Sequence, residues 1–289
     1  LMSFAEHLDL NRPNGVQVDR VISLQFPGYG IQHENHIVWV MHQHRAVYEL
    51  YAQQPDSAEL ASLRRAVTDF DNRVLARSQK LFANSCRVAQ RLQHYNGLSA
   101  EPLYHPPAHA SAFYCEEPLG YFFAPSRLEP LKRQNLLIEA ASYLKTSVKI
   151  LIGGVGGHMK HYQRLISELG VEKRVQLIGA FTEAEKRVLY ARALGVLFVP
   201  LDEDYGYVTL EAMLSGKPVI TCSDSGGPCE LVDNAVTGFV LEPKPKVLAE
   251  HIDRLYLDRE EAVRLGEEGL SRYKQLGISW SAVLEKLLG

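Results

Sequence analysis

The chain has 289 residues, 46% hydrophobic and 22% charged, with a formal net charge of −3 and a pI near 6.4. These values describe an ordinary globular chain, long enough for two domains that each bury a core. They exclude the strongly basic surface of a polyanion binder, so nucleic acid is not an expected partner. Four cysteines, Cys86, Cys115, Cys222 and Cys229, show no C-x-x-C spacing, which reads as reduced thiols in a cytoplasmic protein. The longest apolar run, ALGVLFVPL at 193–201, is far too short to span a bilayer. No signal peptide is visible, so any membrane contact would be peripheral.

The segment before residue 104 is less regular than the rest of the chain. VDRVISLQFPGYG (18–30) holds a strand and a Pro-Gly turn, and HIVWVMHQHRAVYELY (36–51) predicts a strand running into His42 and then a helix. A helix is expected over 57–77, a short strand over 80–85 and a helix over 86–95. YHPPAH (104–109) reads as a linker, since Pro106 and Pro107 stop any regular element, and the domain boundary is placed near 107. From 121 the elements alternate. Strands are expected at 121–128, 147–154, 174–181 and 195–201, and helices at 131–144, 158–170 and from Thr182 to about Ala193. Gly170 is a C-cap, and Thr182 with Glu185 forms a T-x-x-E capping box. PVITC, from Pro218, is a further strand, and the C-terminal stretches EEAVRLGEEGLSRYKQLG and SWSAVLEKLLG are helical.

Alternation with near-continuous apolar strands is the pattern of a parallel sheet covered on both faces. The expected class is therefore α/β, with two Rossmann-like parts: 1–107, 108–270, and a C-terminal helix over 271–289 that returns toward the first part. Ligands of such sheets lie at the carboxyl ends of the strands, where the chemistry-bearing residues fall. EDYGYVTLEAMLSGKPVITCSDSGG (203–227) carries Glu203 and Glu211 around Gly206, which opens a helix from about Tyr207. Amide N–H groups at Tyr207, Val208 and Thr209 would be unpaired there, an anion site favoured by the helix dipole. Glu211, one turn in, suits the vicinal diol of a ribose. Glu203 lies on the other side of the tip, near any group attached beyond the phosphates. Taken singly, each glutamate also fits a solvated acid or a first-turn acid. Arg127 and Lys132, in SRLEPLKRQ, flank the next helix start on the same sheet edge. Cations at a helix start call for an anion to neutralise.

In combination, E-x7-E before LEAMLSGKPVI, then SGGPCELV, TGFVLEP, SRLEPLKR, FANSCRVAQRL and the YHPP linker resemble glycosyltransferase family 4, whose members are retaining enzymes of the GT-B fold. The resemblance runs from about residue 18 and is strongest over 121–243. It implies that Glu203 meets the donor sugar near the reacting carbon, that Glu211 binds the ribose, and that Arg127 and Lys132 bind the phosphates. It further implies that the Gly206–Thr209 tip, with Tyr207 and Val208, holds the diphosphate and that Ala180 and Phe181 border the base. His42 would face the sugar from the acceptor side. His42 is otherwise a structural histidine at a strand end, and His44 is a bystander. Neither Glu203 nor His42 is expected to touch base or ribose, so their replacement would leave affinity for the bare nucleoside diphosphate nearly intact. The family's glycine-rich loop after the first strand is missing before residue 28. An acceptor domain is also longer than the ~100 residues available, so the expectation is that its first part is absent.

Other signals fail. IGGVGGHMK (152–160) matches neither G-x-G-x-x-G nor a Walker loop, and neither H-E-x-x-H nor G-x-S-x-G occurs. Asp202-Glu203-Asp204 is formally D-x-D, but no further metal-spaced ligands accompany it, so no metal and no cofactor is expected. The expected activity is retaining transfer of a sugar from a nucleotide-diphosphate sugar to a hydroxyl acceptor such as a glycan or glycolipid. The alternative is a non-catalytic GT-B-like nucleotide-sugar-binding subunit that needs a partner chain. A Rossmann oxidoreductase is disfavoured because the dinucleotide fingerprint is missing.

Overall fold

The computed structural model describes residues 1–289 and divides into two units. The first comprises Leu1–His105 with Ser279–Gly289, and the second Pro106–Ile278.

The first unit is built on four short parallel strands, β1 (Val21–Ser23), β2 (His36–Val40), β3 (Lys80–Ala83) and β4 (Glu101–Pro102), in the order β1-β2-β3-β4. Its helices are α1 (Met2–His7), α2 (Ala58–Ala76) and α3 (Cys86–Asn96). Ser57 and Ser85 cap α2 and α3 by accepting from the N–H groups of Leu60 and Val88. Alternation along β2 sends Val38 and Val40 into one core with Phe70, Val74 and Leu92, and sends Ile37 and Trp39 to the opposite face.

In the second unit, β5 (Tyr121–Pro125) is followed by α4 (Gln134–Ala141), β6 (Lys149–Gly153), α5 (Met159–Leu169), β7 (Val175–Gly179) and α6 (Glu183–Ala191). Next come β8 (Gly195–Leu197), α7 (Tyr207–Leu214), β9 (Val219–Cys222), α8 (Pro228–Leu231) and β10 (Gly238–Leu241), then α9 (Pro245–Leu257) and α10 (Arg259–Gln275). The sheet order is β10-β9-β8-β5-β6-β7, with every pairing parallel. Strand order reverses between β5 and β8, so the crevice at their carboxyl ends is the topological switch point of the sheet. Phe122 and Ala124 pack into one apolar layer with α4 and α9, while Phe123 packs into the other with Tyr190 and Ala212. Both faces are therefore covered.

The last helix, α11 (Trp280–Leu288), belongs to the first unit, where Val283 and Leu287 cover Ile37, Trp39 and Phe82. The expected division at 270/271 falls inside α10, an unbroken helix that buries Leu265, Gly269 and Tyr273.

Several elements differ from expectation: the strand expected over 121–128 ends at Pro125, and α1, β4, α8, β10 and α9 were not expected. No helix follows His42; short 3-10 turns at Arg45–Val47 and Tyr51–Gln53 stand there instead. Long-range polar bonds hold this segment, from Gln43 to Asn96 and from Tyr48 to Asp71. The helix expected from 131 starts at Gln134, because Arg133 adopts a left-handed φ of 51° after a 3-10 turn at Pro130–Lys132. The strand expected over 195–201 ends at Leu197. Beyond it the carbonyls of Val199 and Pro200 turn to the Arg133 guanidinium, each at 2.8 Å. The last two departures thus have one cause.

Candidate functional site

Four loops meet at the carboxyl edge of the second sheet, and the sequence explains how they are joined. Pro125 ends β5 and Arg127 follows, exposed. The backbone carbonyl of Arg127 accepts a 2.8 Å bond from the buried Gln134 amide, which ties this loop to the first turn of α4. Lys132 projects from the 3-10 turn and pairs with Glu203, Nζ to Oε2 at 2.5 Å. Both side chains are largely buried, 15% and 20% exposed. Residues expected to serve different parts of a ligand are thus bonded to one another.

The glycines that follow β9 hold the Glu203 loop. Ser225 O accepts from Glu203 N–H at 2.9 Å, and Gly227 N–H donates to Glu203 O at 2.8 Å, forming a two-residue parallel bridge. A Cβ on Gly226, whose φ is +73°, would lie 2.5 Å from Glu203 O. The Ser-Gly-Gly run is therefore the template on which the glutamate loop is laid. Gly206 has φ of +93°, and a Cβ there would meet Pro228 at 2.9 Å, so α7 can begin at this place only with glycine. One expectation is corrected at the tip. The Thr209 N–H is not an open donor, since it closes a turn onto Gly206 O at 2.9 Å, and the residue is fully buried. Tyr207 is half-exposed and its ring stands edge-on to Tyr205.

Glu211 lies one turn into α7 and is buried. Tyr190 Oη donates to Oε2 and Lys186 Nζ to Oε1, both at 2.8 Å. Burial, followed by the adjoining Glu211 charge, pushes the Tyr190 phenol well above its ordinary pKa, so it stays a donor. Lys186 is held protonated by Glu211 and Glu183, whose bonds outweigh its desolvation. A carboxylate accepts about four hydrogen bonds, so Glu211 keeps acceptor capacity while its orientation is locked. Phe181 lies beyond β7 with its ring on Phe123, at a centroid distance of 5.8 Å. The Cβ-less Gly153 makes room for that ring. Ala180 beside it is exposed.

Arg133 and Asp224 were not legible as site residues. Arg133 forms a bidentate pair with Asp224, 2.7 Å on each arm, in addition to its bonds to Val199 O and Pro200 O. It joins the loops after β5, β8 and β9. A basic residue beside Lys132 in SRLEPLKRQ was visible, but its partner 91 positions away was not. Tyr190 and Lys186 were likewise hidden, their only signal being their place on the helix that faces α7.

His42 lies in the first unit, two residues past the end of β2, exposed, with Nδ1 3.1 Å from Gln43 O. No group of three or more His, Cys, Asp or Glu side chains is arranged to hold a metal ion, and no helix is long and apolar enough to cross a membrane.

A Rossmann-ordered parallel sheet with acids and bases gathered at its switch point defines an α/β protein with a crevice of the kind in which such sheets bind ligands. The chain belongs to the glycosyl transferases group 1 family, whose model matches residues 116–272. It is 31% identical over 166 residues to the human alpha-1,3/1,6-mannosyltransferase ALG2, covering 52% of this chain and 40% of that protein. It is 30% identical over 171 residues to the D-inositol 3-phosphate glycosyltransferase of Corynebacterium glutamicum, covering 56% and 40%. The chain thus spans 40% of the length of these curated relatives. Among solved structures, Anabaena HepE with UDP and glucose superposes with a TM-score of 0.71 at 20% identity, over 87% of this chain and 76% of that one. WaaG, a glycosyltransferase of lipopolysaccharide biosynthesis, superposes at 0.74 with 18% identity, over 93% and 77%. At such identities the likeness concerns the fold, which is GT-B.

Proposed function

We propose that this chain carries the donor site of a retaining glycosyltransferase that moves a sugar from a nucleoside-diphosphate sugar to a hydroxyl acceptor. The observation that carries this reading is that Arg127, the Lys132–Glu203 pair, the α7 tip and Glu211 all gather at the carboxyl edge of one sheet, around its switch point. Glu211, pre-oriented by Tyr190 and Lys186, accepts from the two ribose hydroxyls. Arg127, Lys132 and the Gly206–Val208 tip meet the diphosphate and stabilise its charge as the glycosidic bond breaks, a preorganised electrostatic role. Glu203 borders the sugar, and His42 contributes from the acceptor side. Ala180 and Phe181 border the base. Transfer is same-face, with the leaving phosphate taking the acceptor proton, and needs no metal. The family match and the UDP bound by HepE support a nucleotide sugar as donor.

The second reading is a nucleotide-sugar-binding subunit that works with another chain. It needs only the residues gathered at the carboxyl edge of the second unit's sheet. One experiment separates the two. The protein is screened by thermal shift against UDP-, GDP- and ADP-sugars, where a ligand at a hundred times its Kd stabilises by about 2.7 kcal/mol. The stabilising donor is then offered with hydroxyl acceptors. Binding with retention of anomeric configuration supports the enzyme, binding without transfer or hydrolysis supports the subunit, and no binding overturns both.

A further inference from the structure

Lys132 is asked to serve two anions. Its ammonium is bonded to Glu203 at 2.5 Å, in a pair that is mostly shielded from water. The Glu203 backbone cannot follow Lys132 elsewhere, because Ser225 and Gly227 bond it on both sides. Lys132 is also constrained, by the left-handed Arg133 that follows it and by the guanidinium clamp to Val199, Pro200 and Asp224. A diphosphate that draws Lys132 toward itself therefore draws it away from a carboxylate whose backbone cannot follow. Breaking a shielded pair by drawing away one partner leaves the other charge uncompensated, a cost well above that of an exposed pair.

We infer that Glu203 is a specificity-determining residue that competes with the diphosphate for Lys132 and so favours the sugar-bearing donor over the bare nucleoside diphosphate. This rests on the donor-site reading above. A donor sugar brings hydroxyl donors to the carboxylate that Lys132 has left, offsetting the lost pair. The bare diphosphate carries an additional negative charge and brings no donor, so Glu203 remains uncompensated beside it. Discrimination of this kind favours departure of the product and admission of the next donor. It also replaces the expectation that Glu203 is indifferent to the bare diphosphate.

The test is calorimetric titration of the protein with UDP, GDP and ADP and with UDP-glucose, GDP-mannose and ADP-glucose, continued with the base that binds best. Glu203→Gln keeps the shape and removes the charge. It is expected to tighten the nucleoside diphosphate about tenfold, 1.4 kcal/mol, and the nucleotide sugar by less. In a Lys132→Met background the same substitution should gain less than about threefold, because the contested cation is gone. Unchanged or weaker diphosphate affinity in Glu203→Gln overturns the inference while leaving the donor-site reading in place. An equal gain with Lys132→Met also overturns it, since direct repulsion by Glu203 would then be the cause. If neither the unaltered protein nor Glu203→Gln binds any of the six compounds, the donor-site reading fails and the inference with it.

Discussion

Glu211 shows how a single carboxylate is made into a fixed acceptor. Its two oxygens are held by a phenol and an ammonium, so a ligand hydroxyl would meet it without first having to order it. Glu211→Ala is expected to weaken binding of the nucleotide, titrated without sugar, by about 1.5–3 kcal/mol. Tyr190→Phe keeps the ring that packs on Phe123 and Phe113 and removes only the donor to Oε2. It should cost a fraction of that affinity, and an equal loss for both variants would mean that Tyr190 acts on the whole site. Arg127 is the exposed cation at the end of β5. Arg127→Ala should weaken the diphosphate far more than the nucleoside, and added salt should weaken diphosphate binding to the unaltered protein in parallel. Equal losses for nucleoside and diphosphate would remove Arg127 from the phosphate role.

At the scale of elements, the carboxyl edge of the second sheet is a set of loops rather than a surface of helices, and Arg133 is their common fastening. Arg133→Lys keeps one charge but gives up the planar fork that reaches Asp224 and two carbonyls together. It should lower stability by about 2 kcal/mol, read as the shift in urea midpoint at constant slope. An unchanged midpoint would show that the loops are held by their backbone bridges alone. The first unit carries a pH dependence of its own. Burial, with Arg77 nearby, lowers the His36 pKa to about 4, and burial against Trp39 lowers that of His105 to about 4. Unfolded, both return to the ordinary histidine value near 6.5, so below it the unfolded chain binds more protons than the folded one. Stability is therefore complete above pH 6.5 and falls as the pH drops toward 4, by up to about 3 kcal/mol for each histidine. Urea midpoints between pH 7 and pH 4.5 check the sign: His36→Gln should flatten the slope, and a stability that rises on acidification would contradict it.

For the whole molecule, the proposed chemistry separates binding from transfer. His42 belongs to the first unit and the donor-edge residues to the second, so His42→Ala should leave nucleoside-diphosphate affinity unchanged. On the proposed role it should lower kcat/KM for transfer. Normal transfer by this variant would return His42 to the role of a structural strand-end residue. Chelation with EDTA should leave both binding and transfer as they are, and a strict requirement for Mg2+ or Mn2+ would revive Asp202 and Asp204 as ligands.

The local rules in the sequence settled a good deal. Apolar alternation and caps placed the β/α order of the second unit from β5 to β9, the Thr182–Glu185 capping box, the Gly170 helix end and the start of α7 at Tyr207. Each depends on neighbours within a few positions, where propensity and hydrogen bonding act before any tertiary contact forms. The E-x7-E spacing put Glu203 and Glu211 on either side of a helix start for the same reason. Tertiary structure alone decided which charges meet. Lys132 pairs with Glu203 across 71 positions and Arg133 with Asp224 across 91. Both pairings exist because the β5–β8 reversal brings three loops to one crevice, and no periodicity encodes that reversal. The early end of β8 and the late start of α4 have the same origin. Backbone groups that local propensity assigns to a strand and a helix are instead bonded or turned by a side chain from another loop, and that bond can form only after the sheet has been assembled.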